Sequence, residues 1–119
     1  MPPIKVIIAG GRDFADYNLL KRNCDHILSR RHPDVIIVSG KARGADSLGE
    51  RYAKERGYLV HEFPADWNRF GKKAGYLRNS EMARHADALI AFWDNNSRGT
   101  KHMIDLAIQH NLKVIVVPY

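Results

Sequence analysis

Five short apolar runs, each separated from the next by a stretch of helical periodicity, constrain this chain more than any other feature. They are Ile4–Ala9, Val35–Val38, Tyr58–Phe63, Ala88–Trp93 and Lys113–Val117. A strand that is apolar at consecutive positions must be covered on both faces, which is the pattern of a parallel sheet. The third run is shorter and more polar, and suits a sheet edge. Between the runs, a first helix starts at about Asp16, which is placed to cap it. It carries Leu20, Cys24, Ile27, Leu28 and Arg31 on an inward stripe until Pro33 stops it. A second helix carries Ala45, Leu48, Tyr52 and Ala53 and closes at Gly57. A third runs from about Ala74 to Ala86 and buries Ala74, Leu77, Met82 and Ala86. A fourth, capped by Thr100, carries Met103, Ile104, Ala107 and Ile108. Such alternation implies right-handed βαβ units. The expected fold is α/β: one Rossmann-like, doubly wound domain over residues 1–119. Its five-stranded parallel sheet has the order 3-2-1-4-5, with helices on both faces.

That order sets strands 1 and 4 side by side, and ligands of such sheets bind outside the carboxyl ends at this switch point. The turns that fall there are Gly10-Gly11-Arg12-Asp13, Ser39-Gly40-Lys41-Ala42-Arg43-Gly44-Ala45-Asp46 and Asp94–Thr100. Glycines admit close backbone approach, and a helix start presents free N–H groups backed by the helix dipole. Arg12 projects over the crevice. Lys41 and Arg43 can grip phosphate, Lys as a point charge and Arg by a bidentate fork. Asp13, Asp46 and Asp94 either accept ribose hydroxyls or cap their own turns. Arg78 sits at the edge of its helix's apolar stripe, beside Leu77 and before Asn79. It is half-buried and aimed at a ligand, or else paired with Glu81 or Asp87. Gly99 and Thr100 form a second anion site or an ordinary cap. Pro64–Lys73 is a longer loop than this architecture needs and reads as a lid, with Trp67 and Lys72 available to a base and its phosphate, alongside Phe70 and Trp93. The spacing is neither the dinucleotide fingerprint nor the Walker loop, so the turns leave the ligand open.

Composition narrows the partners. The 119 residues carry a formal net charge of +6 and a pI near 9.7, which favours anionic partners, small phosphorylated molecules or nucleic acid. A single cysteine, Cys24, excludes an intramolecular disulfide and fits a reducing compartment. No apolar run approaches the ~20 residues of a membrane span, nor is there a signal-like leader, so the expectation is a cytoplasmic chain without a membrane partner. The six histidines show no metal-ligand spacing, and no nucleophile elbow is present. The reading therefore requires no metal and no cofactor.

Gly10-Gly11-Arg12-Asp13-Phe14, Ser39-Gly40, Ala42-Arg43-Gly44-Ala45-Asp46, Asp66-Trp67, Gly71-Lys72, Ala74-Gly75, Arg78-Asn79 and Met82 together resemble the YspA/YpsA-related branch of the SLOG superfamily, over essentially the whole chain. The resemblance implies a Rossmann-like fold that binds nucleotides or their derivatives, NAD- and ADP-ribose-related molecules included. It also implies a phage or bacterial setting and, because relatives self-associate, a homodimer. Two other branches supply rival functions. Lonely Guy phosphoribohydrolases are matched in part by Arg78-Asn79-Ser80-Glu81-Met82, Ala86-Asp87-Ala88 and Gly99-Thr100, but His102 and Met103 stand where that family has paired glutamates. Without a carboxylate to support an oxocarbenium-like centre, the family mechanism loses its acid. A sensor or binding module is thus favoured over an N-glycosidase or other nucleotide-processing enzyme. The DNA-processing protein A branch binds single-stranded DNA. The charge permits that, but only the Trp67–Lys73 loop interleaves aromatic and basic residues, so nucleic acid ranks behind a small nucleotide.

Overall fold

A computed structural model describes residues 2–119. Its sheet has the strands β1 (Ile4–Gly10), β2 (Val35–Ser39), β3 (Leu59–Glu62), β4 (Ala88–Trp93) and β5 (Lys113–Pro118), all parallel, in the order β3-β2-β1-β4-β5. This is the doubly wound order that the alternation of runs predicts. Central β1 pairs with β2 from Ile4↔Val35 to Ile7↔Val38 and with β4 from Val6↔Ala88 to Gly10↔Phe92. The last of these pairs brings the carboxyl ends of β1 and β4 together at the switch point.

Successive residues of β1 point to opposite faces, and each face has its own core. Val6 and Ile8 join Ile37, Ile90 and Phe92 beneath Leu20, Cys24 and Tyr52 of helices α1 (Tyr17–Leu28) and α2 (Ala45–Arg56). Ile7 and Ala9 join Val38, Leu89 and Ala91 beneath Met82, Ala83, Met103 and Ala107 of helices α4 (Ala74–His85) and α5 (Arg98–Gln109). This two-sided burial is why the strands read as unbroken apolar runs, each large aliphatic side chain contributing about 1.5–3 kcal/mol. Asp16 caps α1 by accepting the Leu19 N–H at 3.0 Å, and Gly57 closes α2 in the left-handed conformation.

Several sequence expectations need correction. Helix α1 stops at Leu28, where the Ser29 hydroxyl and the Arg31 and His32 N–H groups turn back on its last carbonyls, so Arg31 is exposed and off the stripe. On α4 the inward positions are Ala74, Asn79, Met82 and Ala83, and Leu77 is 42% exposed, because the polar Asn79 is drawn toward α5. Ile108 ends α5 on an outer flank and is 59% exposed. Ser97, rather than Thr100, caps α5; its hydroxyl accepts the N–H of the buried Thr100 at 3.3 Å. The lid region is not a plain loop. Asp66 accepts the Arg69 N–H at 3.1 Å and starts the short helix α3 (Trp67–Phe70), and a 3₁₀ turn (Gly71–Lys73) leads into α4.

Candidate functional site

A crevice of about 630 Å³ opens at the carboxyl ends of β1 and β4, within the roughly 300–1,000 Å³ range of small-ligand sites. One wall is the β1 turn. A Cβ on Gly10 would lie 2.4 Å from the Phe92 carbonyl oxygen, so only glycine lets the two strand ends run this close. The Gly11 N–H donates to that carbonyl at 3.3 Å, and the Gly11 carbonyl accepts the N–H groups of Phe14 (3.2 Å) and Ala45 (3.3 Å). Gly44 has a φ of +75° and passes so near that an added Cβ would be 2.2 Å from the Gly11 oxygen. Exposed Arg12 leans over the Trp67 ring, 6.0 Å from its centroid.

The β2 turn is arranged differently from the phosphate cradle that its sequence suggests. The Ser39 hydroxyl donates to Glu50 at 2.6 Å, and the Lys41 ammonium pairs with Glu50 (3.0 Å) and Glu62 (3.1 Å). The Gly40 carbonyl accepts from Arg78, and the first N–H of α2, on Ala45, is used by Gly11. Ser39, Gly40, Lys41, Arg43 and Gly44 consequently lie outside the crevice. Gly40, Lys41 and Arg43 instead line a neighbouring groove of about 410 Å³, which shares Arg12, Ala42, Trp67 and Arg78 with the crevice. The physical reason is self-satisfaction: the protein's own carboxylates and carbonyls occupy the donors that an anion would need.

Between the two spaces stand Asp46 and Arg78. Asp46 is only 6% exposed, and its Oδ2 accepts the Ala42 N–H at 3.2 Å. Burial pushes its carboxyl up to about 6, against the opposing pull of that N–H and of the Arg78 charge. Arg78 is half-buried, as expected from its place beside the apolar stripe. It donates to Asn79 Oδ1 at 3.0 Å and to Gly40, and pairs with neither Glu81 nor Asp87; the latter accepts the Lys5 N–H at 2.9 Å. Buried Asn79 turns its amide to the Gly99 carbonyl (3.4 Å) and to His102 Nδ1 (3.2 Å), tying α4 to the start of α5.

The β4 turn forms the far wall. Asp94 Oδ1 accepts the N–H groups of Asn96 and Ser97, both at 2.9 Å, and these hold its carboxyl below the usual range. The Trp93 indole N–H fixes the Ser97 carbonyl at 3.1 Å, and the Ser97 and Thr100 hydroxyls meet at 2.8 Å. The Arg98 and Gly99 N–H groups have no acceptor among the described residues and lie at the positive end of α5. Trp67, 50% exposed, and Tyr76, 48% exposed, form the rim with Lys72.

Gly10, Gly11, Arg12, Asp13, Asp46, Trp67, Lys72, Arg78, Asn79, Asp94, Gly99 and Thr100 thus converge on one crevice. Ala42, Asn96 and Ser97, from the turns that the sequence places at the switch point, also line it, as do Ala9, Gly75, Tyr76, Met82 and Met103, which sequence reasoning did not assign to a site. Tyr76 precedes Asn79 by three residues within α4, a spacing that puts both on one helical flank and could have signalled it. Of the three carboxylates, Asp94 is engaged by its own turn and Asp13 by the Tyr119 hydroxyl at 3.1 Å. Among the described residues no three His, Cys, Asp or Glu side chains are grouped to hold a metal ion, and no helix is long and apolar enough to cross a membrane.

Comparison with known proteins gives three likenesses. The family described as YspA, cpYpsA-related SLOG matches residues 4–70. Gene 61 protein of Mycobacterium phage D29 is 37% identical over 117 residues, covering 93% of this chain and 94% of that protein. Two solved DNA-processing protein A structures share the fold. The one from Streptococcus pneumoniae has a TM-score of 0.75 at 16% identity, over 99% of this chain and 51% of that one. The one from Helicobacter pylori, described for its single-stranded DNA binding mode, has a TM-score of 0.72 at 20% identity, over 99% of this chain and 66% of that one. The chain therefore spans about half of the first and less than two thirds of the second.

Proposed function

The chain belongs to the YspA, cpYpsA-related SLOG family, and on that premise we propose that the switch-point crevice binds a nucleotide or nucleotide-derived ligand, as a sensor or binding module. The observation that carries this reading is the convergence of a helix N–H group without an acceptor among the described residues, that of Gly99, with Arg78, Lys72 and a buried carboxyl, Asp46, in one cavity. Phosphate fits the α5 start and the cations. A sugar hydroxyl fits Asp46, and a base fits the exposed faces of Trp67 or Tyr76. Binding is favoured over catalysis because His102 and Met103 supply no carboxylate and Asp13 and Asp94 are already engaged. An N-glycosidase would have to run through Asp46.

Thermal denaturation with a panel of nucleoside phosphates, NAD and ADP-ribose, each followed by product analysis, tests the proposal. A ligand at 100 times its Kd adds about 2.7 kcal/mol, a shift of several degrees for a domain of this size. Arg78→Ala should weaken binding about 10- to 100-fold, the loss of one charge-assisted hydrogen bond. Recovery of intact nucleotide supports a binding module, and its loss an enzyme. No shift with any member would overturn the reading.

The groove beside the crevice supports a second reading, single-stranded nucleic acid. Arg12, Lys41, Arg43 and Arg78 line it with Trp67, and the fold is shared with a protein described for single-stranded DNA binding. Here oligonucleotide affinity should fall steeply with salt and drop on Arg43→Ala, which leaves mononucleotide binding untouched.

A further inference from the structure

Buried Asn79 joins three neighbours whose hydrogen-bonding roles leave its amide a single orientation. Arg78 Nε can only donate, so the atom that meets it at 3.0 Å is Asn79 Oδ1. The Gly99 carbonyl can only accept, so the group 3.4 Å from it is Asn79 Nδ2. The second Nδ2 hydrogen then goes to His102 Nδ1, 3.2 Å away. A ring nitrogen that accepts carries no proton, so His102 is neutral and holds its hydrogen on Nε2.

At its other end this row of bonds sets Arg78. Two of the three guanidinium nitrogens are held by the protein, Nε by Asn79 and Nη1 by the Gly40 carbonyl. The group is planar, so these two contacts fix the direction of the third nitrogen. Nη2 has no partner among the described residues and stands beside Gly75 of the crevice wall, where an added Cβ would be 3.6 Å from it. A proton on His102 Nδ1 would face an Asn79 N–H, donor against donor. If the amide turned over, its NH₂ would face Arg78 Nε and its oxygen the Gly99 carbonyl. Neither orientation then satisfies all three neighbours, and a buried polar group is left without its bond.

From this we infer that His102 is a positioning residue: its unprotonated Nδ1 holds Asn79, and through it Arg78, in the orientation that meets a ligand's phosphate. The phosphate belongs to the nucleotide reading above and rests on it; the ordering of the three side chains does not. From α4, His102 meets neutral groups, the Asn79 amide and the edge of the Tyr76 ring, 4.6 Å between centroids. The strands beneath α5 present apolar side chains on that face, Ile7, Ala9, Leu89 and Ala91 among them. On α5 itself the charge that acts on His102 is Asp105, already paired with Lys101 at 2.9 Å. Burial keeps the imidazole below the ordinary histidine range, against the pull of that carboxylate. The neutral ring is thus the form present near neutral pH, and acid removes it, so phosphate binding through Arg78 weakens as the pH falls.

Nitrogen-15 NMR of the full chain tests the ordering without any ligand. Between about pH 7.5 and about pH 5 the Arg78 Nε–H signal should move with the midpoint of the His102 ring, whose neutral form should carry its hydrogen on Nε2. The Arg56 Nε–H, bonded to Asp25 at 2.9 Å, should stay still, because Arg56 holds that carboxyl below its usual range. His102→Asn keeps an acceptor at the δ position, an oxygen that takes no proton, whereas His102→Leu removes it. Asp46 also titrates beside Arg78 but is common to these chains, so their differences isolate His102. With AMP as the probe, His102→Leu should weaken binding about 3- to 10-fold at neutral pH, the effect of one orphaned buried N–H. His102→Asn should match the wild type there, and toward acid pH the wild type should lose affinity relative to it by a similar factor. Should His102→Leu lose its circular dichroism, the wild type and His102→Asn decide. An Arg78 signal that ignores His102, a hydrogen on Nδ1 of the neutral ring, or a ratio of wild-type to His102→Asn affinity that is flat with pH would overturn the inference. AMP that binds none of these chains would count against the nucleotide reading, and the Arg78 signal would still decide the positioning.

Discussion

Asp46 is the residue in which the stability of this fold and the chemistry of its crevice are most closely linked. Its carboxyl is buried against Ala42 and Arg78 and keeps its proton up to about pH 6, whereas in the unfolded chain the ordinary value is near 3.8. Between those values the folded state holds more protons than the unfolded one, so stability falls as pH rises from about 4 to about 6. The contribution is about 3 kcal/mol across that window. Asp46→Asn removes it. In urea denaturation at a series of pH values, the stability of wild type relative to the variant should decline through that window and level off above it. A difference that is flat with pH would mean that Asp46 is not strained by burial. The same carboxyl, ionised above pH 6 and facing the crevice, would accept a sugar hydroxyl, so Asp46→Asn should also weaken nucleotide binding at neutral pH.

At the scale of elements, the turns were only partly legible. The strands, their order and the helix starts at Asp16 and Ala45 follow from periodicity and capping, because both strand faces are buried and the caps act locally. The Ser39–Gly44 turn carries the strongest anion-binding signature in the sequence, yet only its Ala42 lines the crevice. Glu50 and Glu62 neutralise Lys41, and Gly44 is needed by the backbone of its neighbour. Those partners are eleven or more residues away from Ser39 or in another strand, and no local pattern announces them. The Asp94–Thr100 turn, weaker as a motif, keeps its donors open. Gly44→Ala tests this structural assignment. It strains a positive φ and drives a methyl to 2.2 Å from the Gly11 oxygen, so a loss of more than about 2 kcal/mol is expected in urea denaturation. Gly99→Ala, which meets nothing within 4 Å in the first turn of α5, should be neutral or stabilise by up to about 1 kcal/mol. Equal costs at the two glycines would contradict the account of the β2 turn.

For the molecule as a whole, one parallel sheet carries its crevice at the carboxyl ends of its central strands, β1 and β4, with β2 and β3 to one side and β5 to the other. The most direct test of the central claim is where a nucleotide acts on the backbone. In a titration followed by amide NMR, the Gly11, Gly75, Gly99 and Thr100 signals should move first and saturate together, while Val114 and Val116 stay still. Perturbation centred on Lys41 and Arg43, or no perturbation at saturating nucleotide, would contradict it.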